Sequence, residues 1–241
     1  MNKKLNMILQ GKGGVGKSLV ASLMAQHYQE NDITPVCVDT DPVNATFAGY
    51  KAFNVHRIEL MKDGDIDPLA FDDLIELVMA GDPESTFVVD NGASSFLPLC
   101  SWMLENEVIQ FFKDNDIDLV IHSIITGGQA HGDTVLGLTN LLKHFDVPLV
   151  VWLNEYFGKP EFNGTAFENS AIVEDNSDKI YGLIRMAAVN PKTFGFDLGN
   201  MLREKKTFSE AIADPSISIM ARQRLTMMKR DFIAQINAAN L

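Results

Sequence analysis

A chain of 241 residues, 46% hydrophobic and 22% charged, is long enough to bury a sizeable core, and its composition excludes disordered and fibrous classes. A formal net charge of −12 excludes a broadly basic surface, so any nucleic-acid contact must be local. Two cysteines, Cys37 and Cys100, and five scattered histidines offer neither a disulfide framework nor metal-ligand spacing.

Short apolar or β-branched runs alternate with longer amphipathic ones. In chain order the pattern predicts a strand at 5–10, a helix at 17–30, a strand at 35–39, a helix at 68–80, a strand at 86–90 and a helix at 96–113. There follow a strand at 119–125, a helix at 133–145, a strand at 148–153, a helix at 165–174, a strand at 180–186 and helices at 196–203 and 217–237. This is the signature of an α/β fold: one domain over 1–241, a doubly wound, mainly parallel sheet with helices on both faces. The polar stretch 155–179 reads as a mobile insertion within that domain, a loop with one helix. No apolar run reaches bilayer length, and the N-terminus passes directly into a glycine loop without room for a signal peptide, so the expected location is the cytoplasm.

The glycine loop carries the chemistry. Residues 11–18 read GKGGVGKS between a predicted strand and a predicted helix, the context a phosphate-binding loop requires. Gly11, Gly13, Gly14 and Gly16 let the backbone around Val15 curl so that successive N–H groups point at β- and γ-phosphates, and the following helix adds the positive end of its dipole. Lys17 is placed as a point charge on those oxygens, and the Ser18 hydroxyl as a ligand of Mg²⁺. Asp90 ends the strand TFVVD, from which a carboxylate reaches the metal through water. Asp39 and Asp41 close VCVD and open TDP; Asp41 can orient the attacking water while Asp39 supports the metal shell. ATP with Mg²⁺ is the expected cofactor.

Lys12, the second lysine of the loop, has no such general explanation. GKGGVGKS followed by DTDP and an Asp-ended strand resembles the deviant Walker A family of P-loop ATPases that includes ParA, Soj and MinD. The resemblance implies that Lys12 is the signature lysine, reaching across a homodimer interface to the partner's ATP, so that ATP binding drives dimerisation and slow Mg²⁺-dependent hydrolysis resets it. It further implies that Asp41 is the hydrolytic aspartate of switch I, that Asp90 and Gly92 begin switch II, where a backbone N–H meets the γ-phosphate, and that Asn154 reads the adenine. Switch I reads DTDPVNATFAGY and switch II DNGASSF, both departing from the partition members of the family. The fuller combination with CVDTDPVNATFAGYKAFNV is most similar to members that serve plasmid conjugative transfer or stability, which implies an activating or adaptor protein as partner. A small-molecule ATP-dependent ligase of the same fold, resembling dethiobiotin synthetase, is the alternative; an iron–sulfur carrier would need paired interface cysteines.

The last predicted helix sets Leu225, Met228, Phe232 and Ile236 in one apolar stripe. Arg222, Arg224, Lys229 and Arg230 flank it, and residues 203–241 hold seven Lys/Arg against four Asp/Glu. This flank admits three readings: nonspecific DNA contact, an amphipathic membrane helix, and a helix docked on the sheet with a solvated basic side. Phe232 lies inside the stripe rather than at a tip, which disfavours the membrane and leaves the docked helix as the expectation.

Overall fold

The computed structural model describes residues 2–239 and 241. Its strands are β1 (Lys3–Ile8), β2 (Val36–Asp39), β3 (His56–Arg57), β4 (Met61–Lys62), β5 (Asp65–Ile66), β6 (Thr86–Asp90), β7 (Ile117–Thr126), β8 (Leu149–Asn154), β9 (Glu161–Phe162), β10 (Thr165–Ala166) and β11 (Ile180–Met186). The helices are α1 (Lys17–Glu30), α2 (Ala70–Ala80), α3 (Phe96–Glu105), α4 (Val108–Asp114), α5 (His131–His144), α6 (Ala171–Asp175), α7 (Phe194–Arg203), α8 (Phe208–Ala213) and α9 (Ile219–Ala238). Seven strands form one parallel sheet in the order β11-β8-β7-β1-β6-β2-β3. The chain therefore builds outward on one side of β1, then crosses to the other, and the crevice at such a switch point is where α/β sheets bind ligands.

Period-two alternation divides the sheet between two cores. Leu5 and Met7 of β1, Phe87 and Val89 of β6, and Leu149, Val151 and Leu153 of β8 pack under α2 to α5. Val88, Val150 and Trp152 face the other way, under α1, α7, α8 and α9. Strands buried on both faces read as continuous apolar runs, which is why TFVVD and LVVWLN form central strands. Polar residues inside this sheet are paired. Trp152 Nε1 donates to His122 Nδ1 at 3.0 Å, which leaves Nε2–H to donate to Asn6 Oδ1 at 3.1 Å. Asn6 in turn donates to Tyr28 and to the Phe87 carbonyl. Full burial pushes the His122 pKa down to about 3, so this imidazole is a neutral structural link.

Differences from the sequence reading have local causes. The predicted helix at 96–113 is two helices, because Glu107 adopts a left-handed φ of 49° between α3 and α4. The predicted helix at 165–174 opens instead as the β9–β10 hairpin. Its turn residues Asn163 (φ 51°) and Gly164 (φ 80°) are both left-handed, the requirement of a tight two-residue hairpin turn. A matching Asp63-Gly64 turn joins β4 to β5. α8 carries a complete capping box, Thr207 with Glu210. The excursion at 155–179 touches the sheet at several points. Arg185 of β11 pairs with both Glu155 and Glu168, Phe167 is buried, and Gly127 lies so close to the Gly158 and Lys159 carbonyls that a Cβ there would stand 2.3 Å from an oxygen.

Candidate functional site

The C-terminal ends of β1, β6 and β2 lie side by side, with Ile8 opposite Asp90 and Asp90 opposite Asp39. This register brings the phosphate loop, the DTDP segment and the DNG segment to one edge. Gly14 and Gly16 take φ of 73° and 105°, left-handed values that favour glycine and let the loop curl into α1. Gly11 is required for another reason: a Cβ there would meet the buried ring of Phe96 at 2.8 Å.

Lys17 is buried to 8% exposure at the base of the loop and donates to the Lys12 carbonyl at 3.1 Å. Desolvation lowers its pKa, and the neighbouring Asp90 and Asp41 oppose that shift. Lys12 has the opposite disposition. Its side chain turns outward and pairs with Asp133 of α5 at 2.7 Å, both partners being substantially exposed. The pair sits on the wall of a groove of about 550 Å³ lined also by Phe96, Leu97, Leu136 and Asn140. Leu97 and Leu136 are more than 60% exposed on its rim.

Asp90 is 1% exposed, and its Oδ1 has no hydrogen-bond partner. Burial, with Asp39 and Asp41 nearby, pushes its carboxyl up to about 7 against the opposing pull of the Ser18 hydroxyl and Lys17. An orphaned buried carboxylate oxygen facing a hydroxyl is a hard, oxygen-only donor pair that fits Mg²⁺. Among the described residues no cluster of three or more His, Cys, Asp or Glu could hold a metal by itself. Asp39, expected in the metal shell, accepts the Asp41 and Ala48 N–H groups on its two oxygens at 2.9 and 2.8 Å, which shapes the segment that carries Asp41.

The Asp41 carboxylate accepts the Val43 and Asn44 N–H groups, both at 2.9 Å. Downstream, buried Phe47, Tyr50 and Phe53 stack together and pin the segment to the core. Gly92 lies directly under Asp41 and Pro42, where a Cβ would be 3.0 and 2.8 Å from their atoms. Asn154 is beside the loop as expected, but both ends of its amide are taken: Nδ2 donates to the Val15 carbonyl and Oδ1 accepts from Tyr156. Its visible work is to support the loop.

Sequence reasoning passed over Asp133, and also Thr40, Asn91 and Ser95, three buried polar residues that hydrogen-bond to one another between the two switch segments. The α9 stripe is buried at Leu225, Met228, Phe232 and Ile236, as the docked-helix reading expects. Its basic flank is partly neutralised within the chain. Arg224 pairs with Asp197, Lys229 with Glu30 and, at 3.9 Å, Arg230 with Asp231, so three of the four cations offered for DNA have acidic partners within the chain. No helix among the described residues is long and apolar enough to cross a membrane. Cys37 is buried and Cys100 partly buried, both free.

The raised Asp90 pKa has a consequence for stability. The folded chain holds this proton to about pH 7, whereas the unfolded chain releases it near 3.8. Between those values the folded state binds more protons, so stability is fully present below the lower one and falls as pH rises toward the upper one. Without nucleotide and Mg²⁺, Asp90→Asn is expected to flatten that slope and to stabilise the chain at pH 8 by on the order of 2–4 kcal/mol. Urea denaturation at pH 5 and pH 8 measures it; an unchanged slope in the variant would contradict the assignment.

No protein-family model matches the chain. Two Escherichia coli proteins named Protein TraL are each 44% identical to it, one over 238 residues covering 98% of both chains and one over 241 residues covering 99% of both. Among solved structures, the chain resembles a Borrelia burgdorferi B31 protein described as a plasmid partition protein bound to AMPPNP, with a TM-score of 0.53, 13% identity and complete coverage of both chains. It also resembles the MinC:MinD cell division complex of Aquifex aeolicus, with a TM-score of 0.51 and 15% identity over 96% of each chain. At these identities the two structures establish the fold of the MinD and partition-type P-loop proteins.

Proposed function

We propose, since this chain belongs to the TraL family, that it is a plasmid-associated ATPase that uses ATP to switch between monomer and homodimer, in conjugative transfer or plasmid stability. The observation that carries the reading is the division of labour between the two loop lysines. Lys17 is buried at the phosphate cradle, while Lys12 points away from it, out to Asp133 at the groove rim. An exposed ion pair of this kind stabilises a fold by only about 0–1 kcal/mol, so Lys12 contributes little within its own chain. A cation at the rim is suited to reach a second copy's phosphates, as an arginine finger does.

In this reading the loop N–H groups and Lys17 hold the β- and γ-phosphates of ATP. Ser18 and Asp90 hold Mg²⁺, which when bound neutralises phosphate charge. Asp39 shapes switch I, and Asp41 positions the attacking water and accepts its proton. Asn154 steadies the loop near the base. Closure of the dimer exchanges the Lys12–Asp133 pair for contacts with the partner's nucleotide, and Leu97 and Leu136 lie on the face that closes. An adaptor or activating protein of the plasmid system reads the closed form.

Asp41→Ala is expected to lower Mg²⁺-dependent ATP turnover by about 10²-fold or more while the ATP-bound dimer persists. Phosphate release and light scattering on the same samples test both halves. Turnover at the unmutated rate would remove Asp41 from the mechanism.

A further inference from the structure

We propose that Asn91 is a positioning residue that aims the switch II backbone at the terminal phosphate and fastens switch II to switch I. The inference rests on the ATP reading above and adds to it a residue and a mechanism of coupling.

Asn91 is fully buried, and every polar atom of its amide is used. Oδ1 accepts from the Thr40 and Ser95 hydroxyls, each at 3.0 Å, and Nδ2 donates to the Gly92 carbonyl at 3.0 Å. The Ser95 hydroxyl also lies 3.2 Å from that carbonyl, and the Thr40 N–H donates to the Asp90 carbonyl at 2.9 Å. One amide thus touches three things: the residue before Asp41, the peptide after Gly92, and Ser95, which precedes α3.

The Gly92–Ala93 peptide is the part with a chemical consequence. Glycine rotates freely, so nothing in Gly92 itself fixes the direction of this peptide. The Asn91 amide does, by donating to the carbonyl and holding it on the buried side, where the Ser95 hydroxyl also lies close. A peptide is planar and trans, so the Ala93 N–H must point to the opposite side. Ala93 is the residue that faces the phosphate loop: its Cβ lies 3.9 Å from where a side chain on Gly13 would begin. That observation puts Ala93 beside the loop, and in this proposal its N–H, opposite the held carbonyl, is the donor that meets a terminal phosphate at little reorganisation cost.

The same amide makes the response two-sided. Thr40 sits between Asp39 and Asp41, and Gly92 lies so close beneath them that a Cβ on it would stand 3.0 Å from Asp41 and 2.8 Å from Pro42. Any shift of the Gly92 peptide on meeting a γ-phosphate therefore moves Thr40 and the Asp41 segment with it. A phosphate detected at switch II becomes a water-orienting position at switch I.

The test uses the full-length chain with Mg²⁺, measuring affinity for AMPPNP and for ADP by calorimetry together with kcat and KM for ATP. Asn91→Ala and the isosteric Thr40→Val are expected to lower kcat by about tenfold or more and to reduce the preference for AMPPNP over ADP by about tenfold. ADP affinity is expected to stay within about twofold, because ADP does not use the Ala93 donor. Thr40→Ser keeps the hydroxyl and is expected to restore both quantities. If Asn91→Ala does not fold, Thr40→Val and its serine counterpart decide the matter alone. AMPPNP and ADP affinities falling together, neither changing, or Thr40→Ser behaving like Thr40→Val would each overturn the proposal. An unmutated chain that binds neither nucleotide would instead refute the ATP reading beneath it.

Discussion

Lys17→Ala is expected to weaken ATP binding by about 10²–10³-fold while the chain remains folded. Hydrogen bonds to charged partners are roughly twice as strong as neutral ones, and this ammonium is the one cation buried at the cradle among the described residues. A loss of about 3–4 kcal/mol corresponds to that range of affinity. A neighbour enlarges the effect: Asp41 lies close enough to raise the Lys17 pKa against its burial, so removing the cation leaves that carboxylate near the cradle without an opposing charge. The fold itself loses one hydrogen bond, to the Lys12 carbonyl. Calorimetric titration with ATP, beside a thermal melt, separates the two. ATP binding within a few-fold of the unmutated chain would show that the loop does not hold phosphate.

Lys12→Ala is expected to behave in the opposite way: near-normal ATP binding by the monomer, and a failure to dimerise. The side chain is absent from its own phosphate cradle, and its ion pair with Asp133 is exposed, so its deletion costs a single chain little. In a two-fold dimer each interaction occurs twice. Losing two charge-assisted contacts of about 1.5–3 kcal/mol each weakens association by about 10² to 10⁴-fold. Among the described residues no other cation lines the groove to compensate, since Asn140, Leu97 and Leu136 make up the neighbouring wall.

How much of this is legible in the sequence depends on the range of the interactions. Central strands such as TFVVD declare themselves because they are buried on both faces, and the phosphate loop because its glycines and Lys-Ser follow a fixed spacing. The doubly wound sheet follows from the alternation of strands and helices. β3 escaped notice because a two-residue strand, His56–Arg57, has no periodicity to read. Other misses had signals that went unread. Asn163-Gly164 and Asp63-Gly64 are hairpin dipeptides, and Thr207-x-x-Glu210 is a capping box before an apolar residue pattern.

At the site, the residues proposed for phosphate and metal carry a recognisable motif spacing, and those that act through other residues carry none. Asn91 reads as a spacer between Asp90 and Gly92 until its three hydrogen bonds are seen. Asp133 stands 121 residues from Lys12 and shares no motif with it. Asp39 and Asn154 lie beside the glycine loop, and their side chains hydrogen-bond the backbone of the segment after Asp39 and of that loop, contacts that no motif announces. The basic flank of α9 illustrates the converse, since a count of charges cannot register that Arg224 and Lys229 are already paired within the chain.

The most direct measurement is the molar mass in solution, by light scattering, of the unmutated chain and of Lys12→Ala, each with Mg²⁺ and saturating ATP or ADP. The unmutated chain should be dimeric with ATP and monomeric with ADP, and Lys12→Ala monomeric with both while still binding ATP. A variant that doubles its mass with ATP as readily as the unmutated chain would show that the outward lysine has no part in assembly.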